Sequence, residues 1–400
     1  MNDKLRNWRF TSSNLFDSFA RKANSVSSLT RRDFSRAVAG SLCMGMLSPL
    51  ASLGESLGVE QPEKPGSITD VAGIRVGHYT DPRRPTGCTV LLFGEEGAAT
   101  GVDYDGSAPG TYQVALLQPV SFIQEVWGIV LSGGSSFGLA TAPGVVRHLE
   151  EQKIGLKFGI GLVPIVVGAI IYDLGVGGDS KIRPDAEAGY KACQAASMGP
   201  VQEGNVGAGA GATVGKMLTF QGYRGMKAGI GTASLRIGDV VVGAIMSVNA
   251  VGEVVDWRTG RIIAGARRPD GKGFVRIADE LKTNPPRATR RSALGSEDLI
   301  FQSTTIGVVA TNAEFNKTEM TKIAMMANCG AARAINPYHT PGDGDTLFAC
   351  STRKVKTDLS ISVIGALAAE VVAEAVLRSA TQATSIEDWP AYRDYTAKLS

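Results

Sequence analysis

The sequence is poor in the residues that most often build metal sites and histidine-based active sites. Its 400 residues include only three histidines and five cysteines, and no two cysteines have Cys-x-x-Cys spacing. Zinc sites commonly use closely spaced cysteines and histidines, so the sequence predicts no metal site. A mechanism that depends on a histidine base has few residues to draw on.

Charge of one sign and long apolar runs are also scarce. The formal net charge is only +3, and no Lys/Arg-rich stripe interleaved with aromatic residues occurs. Nucleic-acid-binding domains usually carry such a stripe, so we expect no nucleic-acid partner. Beyond residue 60, no apolar run approaches the ~20 residues that span a bilayer, and we expect no stable membrane anchor.

Glycine, in contrast, is abundant, with 49 residues. Its concentration in apolar stretches such as residues 204–215 predicts backbone packed closely on backbone, or loops shaped around a ligand. The run at residues 207–216 resembles a phosphate-binding loop. However, Ala210 and Met217 replace the glycine and the hydroxyl residue that a Walker loop requires. Val214 likewise replaces the third glycine of the dinucleotide motif, so nucleotide binding is not predicted.

Residues 1–60 have the pattern of an export signal followed by a flexible start. Arg31 and Arg32 form a twin-arginine pair within residues 30–35, and an apolar stretch of small residues follows at 37–53. That stretch is too short to span a bilayer comfortably. Twin-arginine signals are read by an export receptor. We therefore expect a periplasmic or secreted protein.

The rest of the chain alternates strand-like and helical segments without a strict βαβ period, which favours a layered α/β sandwich. Residues 229–237 and 240–248 are predicted strands covered on both faces, because their polar and apolar residues alternate poorly. Residues 264–301 are polar and contain prolines, which predicts an exposed linker. A strand is predicted directly after it at 304–311, and another at 359–364.

Residues 134–138 match Gly-x-Ser-x-Gly, the nucleophile elbow of α/β-hydrolases, with Ser136 as the serine. A Ser-His-acid triad would need a histidine downstream, where only His148 and His339 occur. His148 lies one predicted helix away, so His339 would have to serve. The alternative is a Gly/Ser turn in which Ser135 or Ser136 caps a helix.

Asp343 and Asp345 place two carboxylates on either side of one glycine. Such a pair could bind calcium, but no further spaced acids complete an EF-hand loop. From the residues alone, a solvated turn fits this pattern as well as a catalytic role does.

Several ordered segments together resemble the DmpA-type aminopeptidase family. This family includes L-aminopeptidase/D-amino-acid esterase-amidases, β-peptidyl aminopeptidases and nylon-oligomer hydrolases. The chain is most similar to the nylon-hydrolase-like branch, because it carries the pair Asp343 and Asp345. The resemblance implies a four-layer αββα sandwich of the N-terminal-nucleophile-hydrolase type, similar to that of ornithine acetyltransferases. It covers residues 68–383 and is carried by residues 68–78, 86–90, 131–139 and 303–313.

By this resemblance, Thr304 becomes the nucleophile when the chain cuts its own Ser303–Thr304 bond. The cut separates an N-terminal part, 61–303, from a C-terminal part, 304–400, of one hydrolase domain. A hydroxyl needs a base to become nucleophilic. The α-amine freed on Thr304, with a reference pKa of about 7.7–8.0, is such a base. Ser303 departs from the asparagine or glycine that family members carry before the cut.

The resemblance also implies the rest of the site. Lys216 matches a lysine beside the nucleophile, Asn249 matches an oxyanion-hole asparagine, and Tyr172 matches a tyrosine near the substrate. Asp343 and Asp345 match two acids behind the nucleophile. The predicted catalytic residues are Thr304, Asn249, Lys216, Asp343, Asp345 and Tyr172, and the predicted substrate-binding residues are Gly133, Gly134, Ser135 and Ser136.

The implied activity is hydrolysis of small peptides or amide oligomers through an ester on Thr304, without a metal or organic cofactor. The implied assembly is a tetramer of processed heterodimers. Three alternatives stay open: a serine esterase that uses Ser136, an acyl transferase similar to ornithine acetyltransferase, and a periplasmic binding protein without catalysis. The sequence does not choose among the family's substrates, because the shape of the pocket decides among them.

Overall fold

The computed structural model describes residues 66–285 and 303–396. The predicted export signal at 1–60 and residues 286–302 of the predicted linker lie outside the described residues. The strands are β1 (Ile74–Thr80), β2 (Gly87–Phe93), β3 (Ala98–Asp103), β4 (Thr111–Tyr112), β5 (Glu125–Val126), β6 (Gly128–Ser132), β7 (Leu156–Phe158), β8 (Gly161–Val163), β9 (Val166–Ile170), β10 (Thr213–Val214), β11 (Met226–Lys227), β12 (Ile230–Ile237), β13 (Val240–Asn249), β14 (Glu253–Val255), β15 (Ile262–Ala264), β16 (Thr304–Ala313), β17 (Ile335–Asn336) and β18 (Thr346–Val355). The helices are α1 (Ala142–Glu151), α2 (Ala186–Gln194), α3 (Ile277–Thr283), α4 (Lys317–Ala334), α5 (Ile361–Thr381) and α6 (Tyr392–Thr396).

Most of these strands belong to two large sheets. The first has the order β1-β2-β6-β9-β4, and the second has the order β12-β13-β16-β18-β3-β5. Neighbouring strands run antiparallel, except for the parallel pairs β6–β9 and β16–β18. In the second sheet, β13 and β16 are interior neighbours, so the end of one lies beside the start of the other.

The two sheets stack face to face, and buried residues of both form one core between them. Successive residues of a strand point to opposite sides, so each strand of the second sheet contributes to this core with one face and contacts helices with the other. In β13, Val241 and Ile245 join the core between the sheets, whereas Val242, Ala244 and Met246 pack toward α4 and α5. Helices α1 and α2 cover the outer face of the first sheet. The result is the helix–sheet–sheet–helix stack that the resemblance implied. Among residues 66–285 and 303–396, the structure contains no helix that combines the length and the hydropathy of a membrane span.

The glycine-rich run packs backbone against backbone, as its composition predicts. A Cβ atom on Gly209 would lie 2.2 Å from the backbone nitrogen of Ile230, and one on Gly211 would lie 2.5 Å from the carbonyl oxygen of Pro85. No side chain larger than a hydrogen atom fits at these distances. The glycines are therefore required by the close approach of neighbouring segments.

Two carbonyl groups of the same run and one from Ala228 hold the buried ammonium of Lys227. Its Nζ donates to the carbonyl oxygens of Gly209 and Ala212, both at 3.1 Å, and to that of Ala228. A phosphate-binding loop presents N–H groups to its ligand, whereas this run presents oxygens to the chain's own lysine.

The segment predicted as a strand at residues 359–364 is instead the start of α5, so that prediction is wrong. The helix begins at Ile361, and the Ser360 hydroxyl caps it by accepting the backbone N–H of Val363. β-Branched residues favour strands only where they pack on a sheet. Here Ile364 packs in the helical layer over the second sheet, so the cap and the packing decide the conformation.

The predicted linker at 264–301 is also more ordered at its start than its composition indicates. Helix α3 lies within it, and Ala266, Val275 and Ile277 form a small buried cluster with Leu218. A few widely spaced apolar residues anchor this otherwise polar segment to the domain. The prediction of an exposed linker is therefore wrong for this part.

Candidate active site

The ends of two neighbouring strands bring Thr304 and Asn249 together. Asn249 is the last residue of β13, Thr304 is the first of β16, and the two are paired across the antiparallel ladder. Both are buried, with Asn249 fully enclosed and Thr304 only 4% exposed. The topology of the second sheet thus places the predicted nucleophile beside the predicted oxyanion-hole residue.

The side chain of Asn249 is held in one orientation. Its Oδ1 accepts from the backbone N–H of Thr213 at 3.0 Å and from Lys216 Nζ at 2.9 Å, and its Nδ2 donates to the Tyr172 carbonyl oxygen at 2.8 Å. An amide N–H and an ammonium can only donate, and a carbonyl can only accept, so the amide cannot be flipped. Because Nδ2 carries two hydrogens, it can still donate to a second acceptor.

Lys216 is half-buried, and its ammonium points inward, where it also lies 3.3 Å from the Asn249 carbonyl oxygen. Burial lowers the pKa of this ammonium to about 7, against partial opposition from the charges of Asp343 and Asp173. A lysine in this range exchanges its proton near neutral pH.

Asp343 and Asp345 lie in the turn before β18 and are both buried. Asp343 Oδ2 accepts from the backbone N–H of Thr340 at 3.1 Å and from its hydroxyl at 2.5 Å. Asp345 Oδ1 accepts the backbone N–H of Thr305 at 2.7 Å. Burial and the charge of Asp345 raise the pKa of Asp343 to about 6. A solvated turn is therefore the wrong interpretation of this pair.

His339 is a member of the site that sequence reasoning did not place there. Its backbone N–H donates to Asp345 Oδ2 at 3.2 Å, and its Nδ1 lies 3.2 Å from the same oxygen. Burial by itself lowers the pKa of His339, but the hydrogen bond and charge of Asp345 outweigh it, so the pKa is raised. The available signal was its position, six residues before Asp345 in the same turn-rich segment.

The predicted substrate-binding loop reaches the site through Tyr172. The Gly134 N–H donates to Asp173 Oδ1 at 2.8 Å, and the Ser135 N–H donates to the Ile171 carbonyl oxygen at 3.0 Å. These bonds fix Gly133–Ser136 against the segment that carries Tyr172. Tyr172 itself joins the site through its carbonyl group, which accepts a hydrogen bond from Asn249. Its side chain is half-buried, and the role near the substrate that the resemblance implies for it stays a prediction.

The geometry gives no support to a serine triad at Ser136. This residue is exposed on the turn before α1. His148 packs edge-on against Tyr190, with ring centroids 5.5 Å apart, and His339 lies against Asp345. Within the described parts of the chain, neither histidine is hydrogen-bonded to Ser136.

A buried ion pair lies behind this loop and was also missed from sequence. Arg84 Nη2 is 3.1 Å from Asp173 Oδ1, and both side chains are 0% exposed. Asp173 also accepts from the Thr86 hydroxyl at 2.7 Å and from the Gly134 N–H. Because Asp173 follows Tyr172, the pair fixes the segment that orients Asn249. Local patterns give no sign of it, since the partners are 89 positions apart.

The backbone N–H and carbonyl groups of Ser303, directly before Thr304, are both hydrogen-bonded. Ser303 is 2% exposed, its N–H donates to the Gly342 carbonyl oxygen at 3.2 Å, and its own carbonyl oxygen accepts from the Gly344 N–H at 3.1 Å. The Thr304 hydroxyl donates to the same carbonyl oxygen at 2.5 Å. The hydroxyl thus contacts the carbonyl group of the bond that the resemblance marks for cleavage.

No group of three or more histidine, cysteine, aspartate or glutamate side chains among the described residues could hold a metal ion. The chemistry that the site offers is that of a hydroxyl, an amine, an amide and two carboxylates. This set suits acyl transfer, in which a hydroxyl attacks a carbonyl group and hydrogen-bond donors stabilise the oxyanion.

Two stacked sheets between helical layers, with a buried threonine at the start of an interior strand, define an N-terminal-nucleophile-type hydrolase fold. A β-aminopeptidase from Burkholderia sp. shares it with a TM-score of 0.59 at 21% identity, covering 86% of this chain and 97% of that one. The L-aminopeptidase D-Ala-esterase/amidase of Ochrobactrum anthropi, a variant of the Ntn hydrolase fold, has a TM-score of 0.57 at 19% identity, covering 83% and 91%.

The chain belongs to peptidase family S58, whose family model matches residues 66–391. It is 39% identical over 357 residues to an uncharacterised aminopeptidase of Mycobacterium leprae, covering 82% of this chain and 93% of that protein. It is 31% identical over 330 residues to the 6-aminohexanoate-oligomer endohydrolase of Kocuria sp., covering 78% and 85%. The protein is therefore a hydrolase of peptide or other amide bonds, and the predicted family and fold are confirmed.

Proposed function

We propose that this protein is a self-processing amide hydrolase whose nucleophile, the hydroxyl of Thr304, is freed on a new N-terminus by cleavage of the Ser303–Thr304 bond. One observation carries the proposal: Thr304 Oγ1 lies 2.5 Å from the Ser303 carbonyl oxygen. The proposed substrates are small peptides or amide oligomers, the classes that the names of the relatives indicate.

Self-cleavage begins with attack of Thr304 Oγ1 on the carbonyl carbon of Ser303. The Gly344 N–H already donates to the carbonyl oxygen, where negative charge develops in the tetrahedral intermediate. The C–N bond then breaks, and the Thr304 nitrogen leaves as an amine after the hydroxyl proton has reached it through a base. Water hydrolyses the resulting ester, which gives a Ser303 carboxylate and restores the Thr304 hydroxyl.

Turnover uses the same hydroxyl with a new base. The freed α-amine of Thr304, with a reference pKa of about 7.7–8.0, takes the hydroxyl proton and passes it to the leaving amine of the substrate. The second Nδ2 hydrogen of Asn249 and the Gly344 N–H hold the oxyanion. Loss of one such donor typically costs about 10²–10³-fold in rate.

The two acids hold the site in place and balance its charge. Asp345 binds the Thr305 N–H and so fixes the start of β16, directly after the nucleophile. Asp343 offsets the positive charge of Lys216, whose pKa it raises against the effect of burial. In this proposal neither carboxylate bonds covalently to substrate.

Intact mass spectrometry of the purified protein tests the proposal directly. We expect two chains, of which the smaller begins at Thr304 and comprises residues 304–400. N-terminal sequencing of that chain should read Thr, Thr, Ile, Gly. A single chain that hydrolyses amides, or two chains separated at another bond, would contradict the proposal.

The same sample tests two further proposals: the mass of the larger chain tests export through the twin-arginine signal, and light scattering tests assembly of the processed chains into tetramers. Export predicts a periplasmic protein whose N-terminal chain starts after the arginine pair and its apolar stretch. Light scattering of the same sample should give four copies of each chain. An intact leader on periplasmic protein, or a monomeric heterodimer, would contradict the corresponding proposal.

Lys216 is proposed as the base for self-cleavage, because the α-amine does not exist before the cut. Its pKa of about 7 makes the neutral, proton-accepting form increase as pH rises through that value. After refolding of precursor isolated in denaturant, the cleavage rate should rise about tenfold per pH unit below ~7 and level off above it. The time course is followed by mass spectrometry.

Substitutions separate this role from a structural one. Lys216→Met should slow self-cleavage by about 10²–10⁴-fold and abolish the rise with pH. Lys216→Arg stays protonated and should be slow at every pH. Lys282→Met, which removes a lysine that is 73% exposed, is the matched control. An unchanged pH profile in Lys216→Met would exclude this base.

A further inference from the structure

Lys227 in β11 carries a buried ammonium that the proposed function does not use. Its side chain is fully enclosed. Its Nζ donates to the carbonyl oxygens of Gly209 and Ala212, both at 3.1 Å, and to that of Ala228. Three acceptors need three hydrogens, which only the protonated amine has. The contacts thus favour the charged form, whereas burial lowers the pKa of Lys227 to about 7 against the opposing charge of Asp173.

One of these three carbonyl groups belongs to the peptide unit that orients Asn249. The Ala212 carbonyl oxygen accepts from Lys227, and the N–H of the same peptide unit, which is that of Thr213, donates to Asn249 Oδ1 at 3.0 Å. This peptide bond is trans, so its C=O and N–H groups point in opposite directions. Asn249 Oδ1 is therefore supported by two lysines, directly by Lys216 and through one peptide unit by Lys227.

Strand pairing fixes this peptide unit in place. Thr213 and Lys227 are partners in the antiparallel pair β10–β11. The Ala212 carbonyl oxygen also accepts the backbone N–H of Ala228 at 3.0 Å, and its two lone pairs can serve both donors. The ammonium and the backbone of one segment thus hold the same carbonyl group.

The hydrogen bonds in this chain all run in one direction. Lys227 donates to Ala212, Thr213 donates to Asn249, and Asn249 Nδ2 donates to the oxyanion of the proposed function. Each bond polarises the amide group that follows it, so a positive charge at the start strengthens the donor at the end. We infer that Lys227 is a positioning residue of the oxyanion hole, which acts through the peptide unit between Ala212 and Thr213 to orient Asn249 and strengthen its donor. This inference rests on the proposed function.

The effect belongs to the chemical step of turnover. The oxyanion exists in the transition state and not in the bound substrate, so loss of its stabilisation lowers kcat and leaves KM nearly unchanged. Removing an oxyanion donor outright typically costs about 10²–10³-fold. Weakening the Asn249 donor should cost less, about tenfold. Self-cleavage should still go to completion, because the Gly344 N–H already holds the carbonyl oxygen of the bond that is cut.

Two substitutions of Lys227 test this role. Lys227→Met removes the charge and the donors, and Lys227→Gln removes the charge but keeps an N–H donor. Both are assayed as cleaved enzyme, verified by intact mass, on alanine p-nitroanilide or a 6-aminohexanoate oligomer, whichever the wild type hydrolyses faster. We expect kcat to fall about tenfold in both, with KM within about threefold of the wild type. Lys227→Gln carries the test if Lys227→Met does not fold.

Lys317→Met is the matched control. Lys317 is also a buried lysine, 3% exposed, whose Nζ donates to the carbonyl oxygens of Ser121 and Ile123, both at 2.8 Å. Its loss likewise leaves buried carbonyl groups unpaired, but in a loop that carries no residue of the proposed site. Thermal unfolding should show that both Met variants are destabilised, whereas kcat should fall only in the Lys227 variants. Equal kcat values for Lys317→Met and the Lys227 variants overturn the inference.

A double-mutant cycle tests the path through Asn249. If Lys227 acts through this amide, its effect on kcat should largely disappear once the amide is removed. In an Asn249→Ala background, Lys227→Gln should therefore lower kcat by less than about threefold. A further tenfold loss in the double variant would show that Lys227 acts by another path and overturns the inference.

The proposed function and the role of Lys227 fail in different ways. A wild-type chain without a cut before Thr304 contradicts the proposed function itself. A wild type that is cut and active, with Lys227 variants that turn over as fast as Lys317→Met, overturns only the role of Lys227. Folded Lys227 variants that stay uncleaved also overturn it, because Lys227 would then act before Asn249 is needed.

Discussion

A Thr304→Ala variant is expected to purify as one uncleaved chain and to lose amide hydrolysis by about 10⁴-fold or more, as nucleophile removal does in serine hydrolases. The hydroxyl that contacts the Ser303 carbonyl group is then absent, so neither self-cleavage nor an acyl-enzyme can form. The α-amine that serves as the base in turnover is never released. Intact mass and an amide-hydrolysis assay on the same sample measure both losses.

Two further variants make this result specific. Thr304→Ser keeps a hydroxyl and should still be cut. Thr305→Val is the matched control, because Thr305 is the adjacent buried threonine and its hydroxyl has no hydrogen-bond partner within the described residues. It should be processed normally. Full activity in an uncleaved Thr304→Ala chain would show that the catalytic hydroxyl lies elsewhere.

Arg84→Met is expected to lower the free energy of unfolding by about 3–5 kcal/mol, because it leaves the carboxylate of Asp173 buried without its cation. This is a large part of the roughly 5–15 kcal/mol that stabilises a typical domain. Thermal or urea denaturation measures it. As temperature or urea concentration rises, the variant should also lose activity before it unfolds. The reason is that Asp173 fixes the loop at Gly134 and the segment that holds Asn249.

An exposed pair provides the control. Arg147 pairs with Glu187 at 2.9 Å, and the two side chains are 48% and 53% exposed, so Arg147→Met should leave the stability nearly unchanged. Adding Asp173→Asn to Arg84→Met removes the unpaired charge and should recover part of the lost stability. Equal stabilities for Arg147→Met and Arg84→Met would show that the buried pair contributes little.

Local patterns in the sequence were sufficient for the core of the fold. The apolar runs of β12 and β13 and the glycine–aspartate turn before Val240 predict neighbouring strands, as the structure has them. The prediction that both faces are covered is right for β13, which is buried throughout, and wrong for the partly exposed end of β12. The density of glycine between residues 204 and 215 correctly predicts close backbone packing. These features follow from residues near one another in the chain.

Features that depend on distant residues could not be predicted in the same way. The start of α5 was misread because Ile361 and Val363 favour a strand locally, whereas the Ser360 cap and packing on the second sheet make it helical. The ion pair between Arg84 and Asp173 joins residues 89 positions apart that the fold buries together, so no local pattern indicates it.

The site was drawn mainly from family resemblance, and its supporting contacts needed coordinates. The segments that carry Thr304, Asn249 and Asp345 were named from their matches, while the place of His339 beside Asp345 was not. His339 was considered only as a partner for Ser136. Both its backbone N–H and its ring face Asp345. The sequence of a turn-rich segment does not show how its residues are oriented.

The contacts around the Ser303 carbonyl group come from parts of the chain that meet only in the native fold. The Gly344 N–H reaches it from the turn before β18, and β13 supplies Asn249 beside Thr304. Under the proposed chemistry, an unfolded or misfolded chain lacks these contacts and keeps the Ser303–Thr304 bond intact. The cut is irreversible, so it marks every molecule that has reached the native state. The fraction of cleaved protein in a preparation therefore equals the fraction of molecules that have folded at least once.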